Sequence, residues 1–324
     1  MQFIRNAALL VMLAAPWGGT QAGPYPERPI KVVVAWSAGG GTDLPARIVA
    51  KHLARQLGVP VFVENRDGAS GMIGTEFVAN AAPDGYTIQY TVADSHSINP
   101  HLFANIRYDA VRDFIPVAVV GYSPCTLAVH PRFGIDSLEQ FLALARAKPG
   151  ALTFATWGVG SGGHVRMAAL ANATGIQFTH VPFKGSAPAL QAVVSGQVDA
   201  MIVPAGMARQ QAEAGKIRML AVDTSDRYEL VPDVKTYREQ GLAIELKFWQ
   251  GVLVPKGTPK DIVATLNRAI NSALADPSTL AELSKLGLVR ANIGDNGVQA
   301  TLDYMNAEFA RWGKVIQAAN ISVH

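Results

Sequence analysis

Along the chain, short apolar runs rich in β-branched residues alternate with longer stretches whose apolar positions recur every three and four residues. Residues 30–35 read as a buried strand. Residues 43–57 read as a helix, with Leu44, Ile48, Val49, Leu53 and Leu57 on one stripe. Thr42 or Asp43 can cap that helix, Pro45 falls in its first turn where a missing N–H costs nothing, and Gly58 ends it. A strand follows at 59–63, a short helix at 74–82, the turn Pro83-Asp84-Gly85, and another strand at 86–92. This β-α-β-α-β order predicts a parallel sheet with helices on both faces.

The same style repeats further on. Helices are expected at 137–147, 164–174 and 187–195, with strands at 152–155, 177–182, 198–203 and 217–222, which makes a second α/β lobe. Residues 117–129 and 245–254 are long extended runs between the two patterns and read as connections crossing from lobe to lobe. Helices at 259–275, 277–286 and 296–317 would return to the first lobe. The expected organisation is therefore lobe I from 23–128 and 246–324, with lobe II from 129–245 inserted. Two hinge strands of this kind let a cleft open and close.

The first 22 residues stand apart from this pattern. Arg5 is followed by an apolar stretch from Ala7 to Ala15, and the small residues Thr20 and Ala22 close the segment. That is the three-part build of a cleaved secretory signal, and its apolar core is too short to span a bilayer. A buried N-terminal helix is the alternative. Cleavage after Ala22 is expected, and with it an exported chain of about 300 residues, long enough for two cores. No later segment is apolar for the length a membrane helix needs. Of 324 residues, 49% are hydrophobic and 16% charged, the balance of a globular protein. A net charge of +3, with no Lys/Arg run, gives no footprint for nucleic acid. Cys125 is the only cysteine, so no internal disulfide is possible; it reads as a buried structural thiol rather than a nucleophile.

Candidate chemistry lies in glycine-rich loops, each between a strand and a helix. They are residues 36–43 (Trp-Ser-Ala-Gly-Gly-Gly-Thr-Asp), 64–74, 156–164 (Thr-Trp-Gly-Val-Gly-Ser-Gly-Gly-His), and a shorter one at 184–188. In a parallel sheet such loops gather at the carboxyl ends of the strands, where ligands bind. Glycine allows close backbone approach, and the free N–H groups of a helix's first turn favour an anion. Loops of this kind from both lobes would hold a carboxylate without a buried arginine; tight turns alone would also explain each glycine. No loop carries a Walker A pattern. Gly158, Gly160 and Gly163 do satisfy G-x-G-x-x-G, but the following strand ends without the acid a dinucleotide site wants. The seven histidines form no close metal-ligand pair, and no serine sits in G-x-S-x-G. His164, close to Ser161, could serve as a base, which keeps a secreted α/β hydrolase-like enzyme as the alternative. Neither cofactor nor metal is expected.

At these loops the sequence resembles the Bug family, the extracytoplasmic receptors of tripartite tricarboxylate transporters. The resemblance rests on Tyr25 to Ile30, Ala38 to Asp43 with Ala46-Arg47, Val63 to Arg66, Ala82 to Thr87, Asp113 to Val117, Gly158 to Ser161 with His164, His180 to Gly185, Gly196 to Asp199, and Trp249-Gln250-Gly251. It implies a two-lobed periplasmic binding protein fold, a Venus flytrap of type II with two crossover strands. It also implies a non-enzymatic, monomeric periplasmic receptor that takes up a small di- or tricarboxylate, amino acid or aromatic acid for membrane transporter subunits. The positions that match the family's site are Ala38, Gly39, Gly40, Thr42, Asp43, Ser95 and His96 in one lobe. From the other come Thr156, Gly160, Ser161, His164 and Lys184, with Asp199 placed near the cleft. Departures are Trp36-Ser37 where the family usually has Phe-Pro, Asp67 in place of proline, and Val203-Pro204 where a polar residue is common. Trp36 and Trp157 sit in the two facing loops. They are expected either to wall an aromatic or bulky ligand or to shield the hinge.

Overall fold

Alternation of short buried strands with amphipathic helices produces two five-stranded sheets. The computed structural model describes residues 25–319 and 321; the expected export segment lies outside the described residues. In chain order the first lobe holds β1 (Ile30–Val34), α1 (Asp43–Leu57), β2 (Val61–Asn65), α2 (Met72–Ala79), β3 (Thr87–Val92), α3 (Asn99–Leu102) and β4 (Phe114–Ser123). The second holds β5 (Cys125–Val129), α4 (Leu138–Ala147), β6 (Thr153–Thr156), α5 (Gly162–Thr174), β7 (Thr179–Pro182), α6 (Ser186–Val194), β8 (Ala200–Pro204), α7 (Ala205–Glu213) and β9 (Arg218–Val222). The chain returns through β10 (Phe248–Pro255), α8 (Lys260–Ala275), α9 (Pro277–Lys285) and α10 (Val298–Ala318).

The strand orders are β2-β1-β3-β10-β4 and β7-β6-β8-β5-β9. Within them β1, β2 and β3 are parallel, as are β6, β7 and β8. Ile30, Val32, Val33 and Val34 are all buried, as a strand covered on both faces requires. The sheets are nevertheless mixed rather than parallel throughout. β10 runs antiparallel to β3 and β4, and β5 runs antiparallel to β8 and β9. These are the two strands that enter from the other lobe, so each inserts against the direction of its new neighbours.

The extended run expected at 117–129 is two strands in two sheets. The change falls at Pro124, which has no N–H to give either ladder. Cys125–Val129 thus pairs in the second sheet, four residues ahead of the boundary expected after residue 128. Both crossings are tied to α5 by one side chain. Arg166, fully buried, bonds Asp223 at 2.7 Å and donates to Leu246 O at 2.8 Å, while Asp223 accepts from Cys125 N at 2.6 Å. Helix α10 packs on β4 and on the π-helical turn at Asp94–Ile98, and it also reaches lobe II. Asn172 donates to Ala318 O at 3.1 Å, and the Arg166 guanidinium lies 5.0 Å from the Trp312 ring centroid.

Candidate functional site

The loops after β1 and β6 face each other at the carboxyl ends of their strands. In lobe I the turn leading into α1 is held by Asp43. Its buried carboxylate accepts from Gly39 N at 2.8 Å, from Arg47 Nε at 2.9 Å and from Asn65 Nδ2 at 2.8 Å. Burial pushes this carboxyl up, and these three donors more than offset it, leaving it below the ordinary value. Gly39 has φ +75°, a left-handed conformation suited to glycine. Asp43 therefore shapes the loop and presents the start of α1. Ser186 Oγ, at the start of α6, accepts from Gly41 N at 3.3 Å across the cleft.

In lobe II the loop into α5 is organised by two imidazoles. His164 and His180 stack with centroids 4.2 Å apart. His164 Nδ1 accepts from Gly160 N at 3.1 Å, and Thr156 Oγ1 lies 2.6 Å from His180 Nε2. Burial lowers both histidines, and the neighbouring His164 adds to the drop at His180, which falls to about 4. The pair is uncharged at neutral pH. Ser161 occupies the N-cap position of α5, yet its hydroxyl is buried without a protein partner and makes no bond to His164. The nucleophile–base pair that a hydrolase needs is not assembled here.

Between the loops is a recess of about 10 Å³, room for about one water, lined by Ser37, Gly41, Thr42, Ser186, Pro204 and Phe248. Trp36 and Trp157 close it, and beyond their indoles opens a cavity of about 330 Å³. Met72, Phe103, Val159 and Phe183 make that outer cavity apolar; Asp67 and Lys184 lie on its border. Lip contacts join the lobes: Ser70 Oγ donates to Val159 O at 2.5 Å, and the backbone of Gly160 lies against the Phe103 ring.

Several residues singled out from the sequence meet here, and others do not. Trp36, Thr42 and Trp157 line the recess directly. Ala38, Gly39 and Gly40 build the loop beside it, where a Cβ on Gly40 would touch Ser186 Oγ at 3.1 Å. Ser95 Oγ is buried without a protein partner, behind Trp36 at Gly71. His96 points away from the cleft. It is fully buried with its Nδ1 3.1 Å from Thr91 Oγ1, packed edge-on to Phe114, and burial lowers it to about 3. The π-helical turn that follows β3 swings it into the lobe I core. Asp199 lies at the start of β8, the far end of the sheet from the cleft. It accepts from Thr153 N at 2.7 Å and pairs with Arg132.

Asp94 was the residue most clearly missed. It comes from lobe I, is fully buried, and its carboxylate accepts from two lobe II groups, Trp157 Nε1 at 2.9 Å and Gly162 N at 2.6 Å. The sequence signal was an acid directly after a strand, overshadowed by the Ser-His that follows it.

Residues 45–321 match the family model described as the tripartite tricarboxylate transporter family receptor. The chain belongs to this family. The receptor is 34% identical to protein BugT of Bordetella pertussis over 307 residues, covering 94% of this chain and 92% of that one. Among solved structures it is similar to Rpa4515 of R. palustris with adipate, at TM-score 0.88 and 33% identity, covering 92% of this chain and 99% of that one. It is also similar to MatC of Rhodopseudomonas palustris with bound malate, at TM-score 0.86 and 34% identity, covering 90% and 100%. The two-lobed periplasmic binding protein fold expected from the sequence is the fold observed.

Proposed function

We propose that the chain is exported to the periplasm, where as a monomer it captures a small carboxylate between its lobes and delivers it, chemically unchanged, to the membrane subunits of a tripartite transporter. The observation that carries this reading is the meeting of two helix starts on one recess, that of α1 from lobe I through Gly41 and Thr42 and that of α6 from lobe II through Ser186. Backbone N–H groups there favour an anion, and the buried Ser37 and Ser161 hydroxyls have no protein partners. The acids bound by Rpa4515 and MatC support the same ligand class. The apolar segment before residue 23 supports export, and no helix among the described residues is long and apolar enough to cross a membrane. Pro124 and the stretch just before β10 serve as the hinges. The lone pairing of Ser161 with nothing and of His164 with Gly160 N favours binding over turnover.

A thermal-shift panel of mono-, di-, tri- and aromatic carboxylates on the mature protein tests the reading, with native mass spectrometry of the purified material. An acid at one hundred times its Kd stabilises the folded state by about 2.7 kcal/mol, a rise of several degrees in Tm. No shift with any acid would sink it.

A further inference from the structure

The glycine loop at 156–164 makes room for protein, not ligand, where it enters α5. A Cβ on Gly162 would lie 3.1 Å from Asp94 Oδ1, and one on Gly163 would lie 2.6 Å from the Trp157 ring. The first amide of α5 already holds a carboxylate, that of Asp94, and the indole N–H of Trp157 completes its coordination. Ser161 stands at the N-cap position but leaves the capping to this acid from the opposite lobe. Burial pushes the Asp94 carboxyl up to about 6, while its two donors and the nearby Arg166 pull the other way, so it is mainly ionised at pH 7.5. Arg166 offers no spare charge to an incoming anion, since Asp223, Leu246 O and Gly162 O take its donors.

We propose that Asp94 sets which acids this receptor accepts: its carboxylate holds the start of α5 in the closed cleft, so the ligand's single carboxylate goes to the start of α1, and acids with a second carboxylate within reach of α5 are rejected. This rests on the carboxylate-receptor reading above and narrows its ligand class. A second ligand acid at α5 would have to displace Asp94 or sit beside it, and two carboxylates in a dry site repel. A single acid meets no such penalty. Its apolar remainder suits the cavity bounded by Met72, Phe103, Val159 and Phe183.

Calorimetry with matched pairs tests this: butyrate against succinate, hexanoate against adipate, and phenylacetate against phenylenediacetate. The wild type is expected to bind a monoacid at least tenfold tighter than its diacid partner, about 1.4 kcal/mol. Asp94→Ser shifts that ratio toward the diacid by at least tenfold. Asp94→Asn, which keeps the shape and removes the charge, and Trp157→Phe, which keeps the ring and removes the N–H, shift it the same way. The last two cover the case in which Asp94→Ser does not fold. A wild type that binds a diacid as tightly as its partner, or a ratio unmoved within twofold in the variants, overturns the role of Asp94 alone. A wild type that binds none of the six acids counts instead against the carboxylate reading.

Discussion

Arg166 carries a full charge into a place water does not reach, and Asp223, equally buried, is its counter-ion. Their attraction has to offset the loss of two hydration shells, so the pair itself adds little stability; an unpaired member is what costs. Asp223→Ala strands the guanidinium and is expected to destabilise the fold by about 3–5 kcal/mol. Arg166→Met with Asp223→Leu should recover most of that loss. Urea unfolding followed by circular dichroism measures both, and equal losses in single and double variants would contradict the argument. At this scale the sequence brought Trp36, Thr42 and Trp157 to the two facing loops, and the structure has them line the recess. Sequence reading failed where side-chain direction depends on a local irregularity. His96 and Asp94 lie two apart in one short segment, and only the π-helical turn decides that the histidine enters the core while the acid faces the other lobe. Asp199 was misplaced for a different reason: a short strand has two ends, and the hydrophobic pattern does not say which one meets the cleft.

Helix α5 gathers most of the interlobe chemistry. Its first amide meets Asp94, its second turn carries Arg166 to both crossings, and its flank carries His164. The Asp94 contact makes closure depend on pH. In the closed cleft burial raises this carboxyl to about 6, and opening returns it toward the ordinary value of about 3.9. A raised value means that closure favours the protonated form. Its contribution is complete below about pH 4 and is lost as pH rises through about 6, by up to about 3 kcal/mol. The groups around it are the Arg166 cation, which opposes the rise, and neutral Tyr108 and Cys125. On the same helix and its neighbour β7, His164 and His180 are lowered, so they favour the folded state at higher pH. Small-angle scattering of the unliganded protein between pH 4 and 7.5 should show expansion with rising pH. Asp94→Asn should flatten it, and an unchanged profile would refute the linkage. The elements themselves were largely legible, because 3.6- and 2-residue periods survive wherever one face is buried. α7 and the split at Pro124 were not. α7 buries only the small Ala205 and Ala208 and so offers no stripe of large apolar residues to read, and a proline inside a long apolar run does not announce a change of sheet.

For the whole molecule the question is what the two indoles do when the lobes move. They look equivalent in sequence and are not equivalent in the fold. Trp157 donates to Asp94 of the opposite lobe and packs edge-on to Phe248, with ring centroids 5.7 Å apart. Trp36 is held from its own lobe, by Asn65 Nδ2 donating to its carbonyl at 2.9 Å and by Gly71, where a Cβ would lie 3.0 Å from the ring. Lobe closure therefore stabilises contacts of Trp157 that opening breaks, whereas the packing of Trp36 on Gly71 persists in both states. Trp157→Ala is expected to shift the unliganded protein toward the open form, raising its radius of gyration, and to weaken every acid because closure loses part of its driving force. Trp36→Ala should leave that radius unchanged and weaken chiefly acids with bulky apolar bodies, whose wall it removes. Scattering and calorimetry on the two variants separate these outcomes. Identical behaviour of both variants in both measurements would mean that the tryptophans only shield the hinge, and that the recess is shaped by its glycines alone.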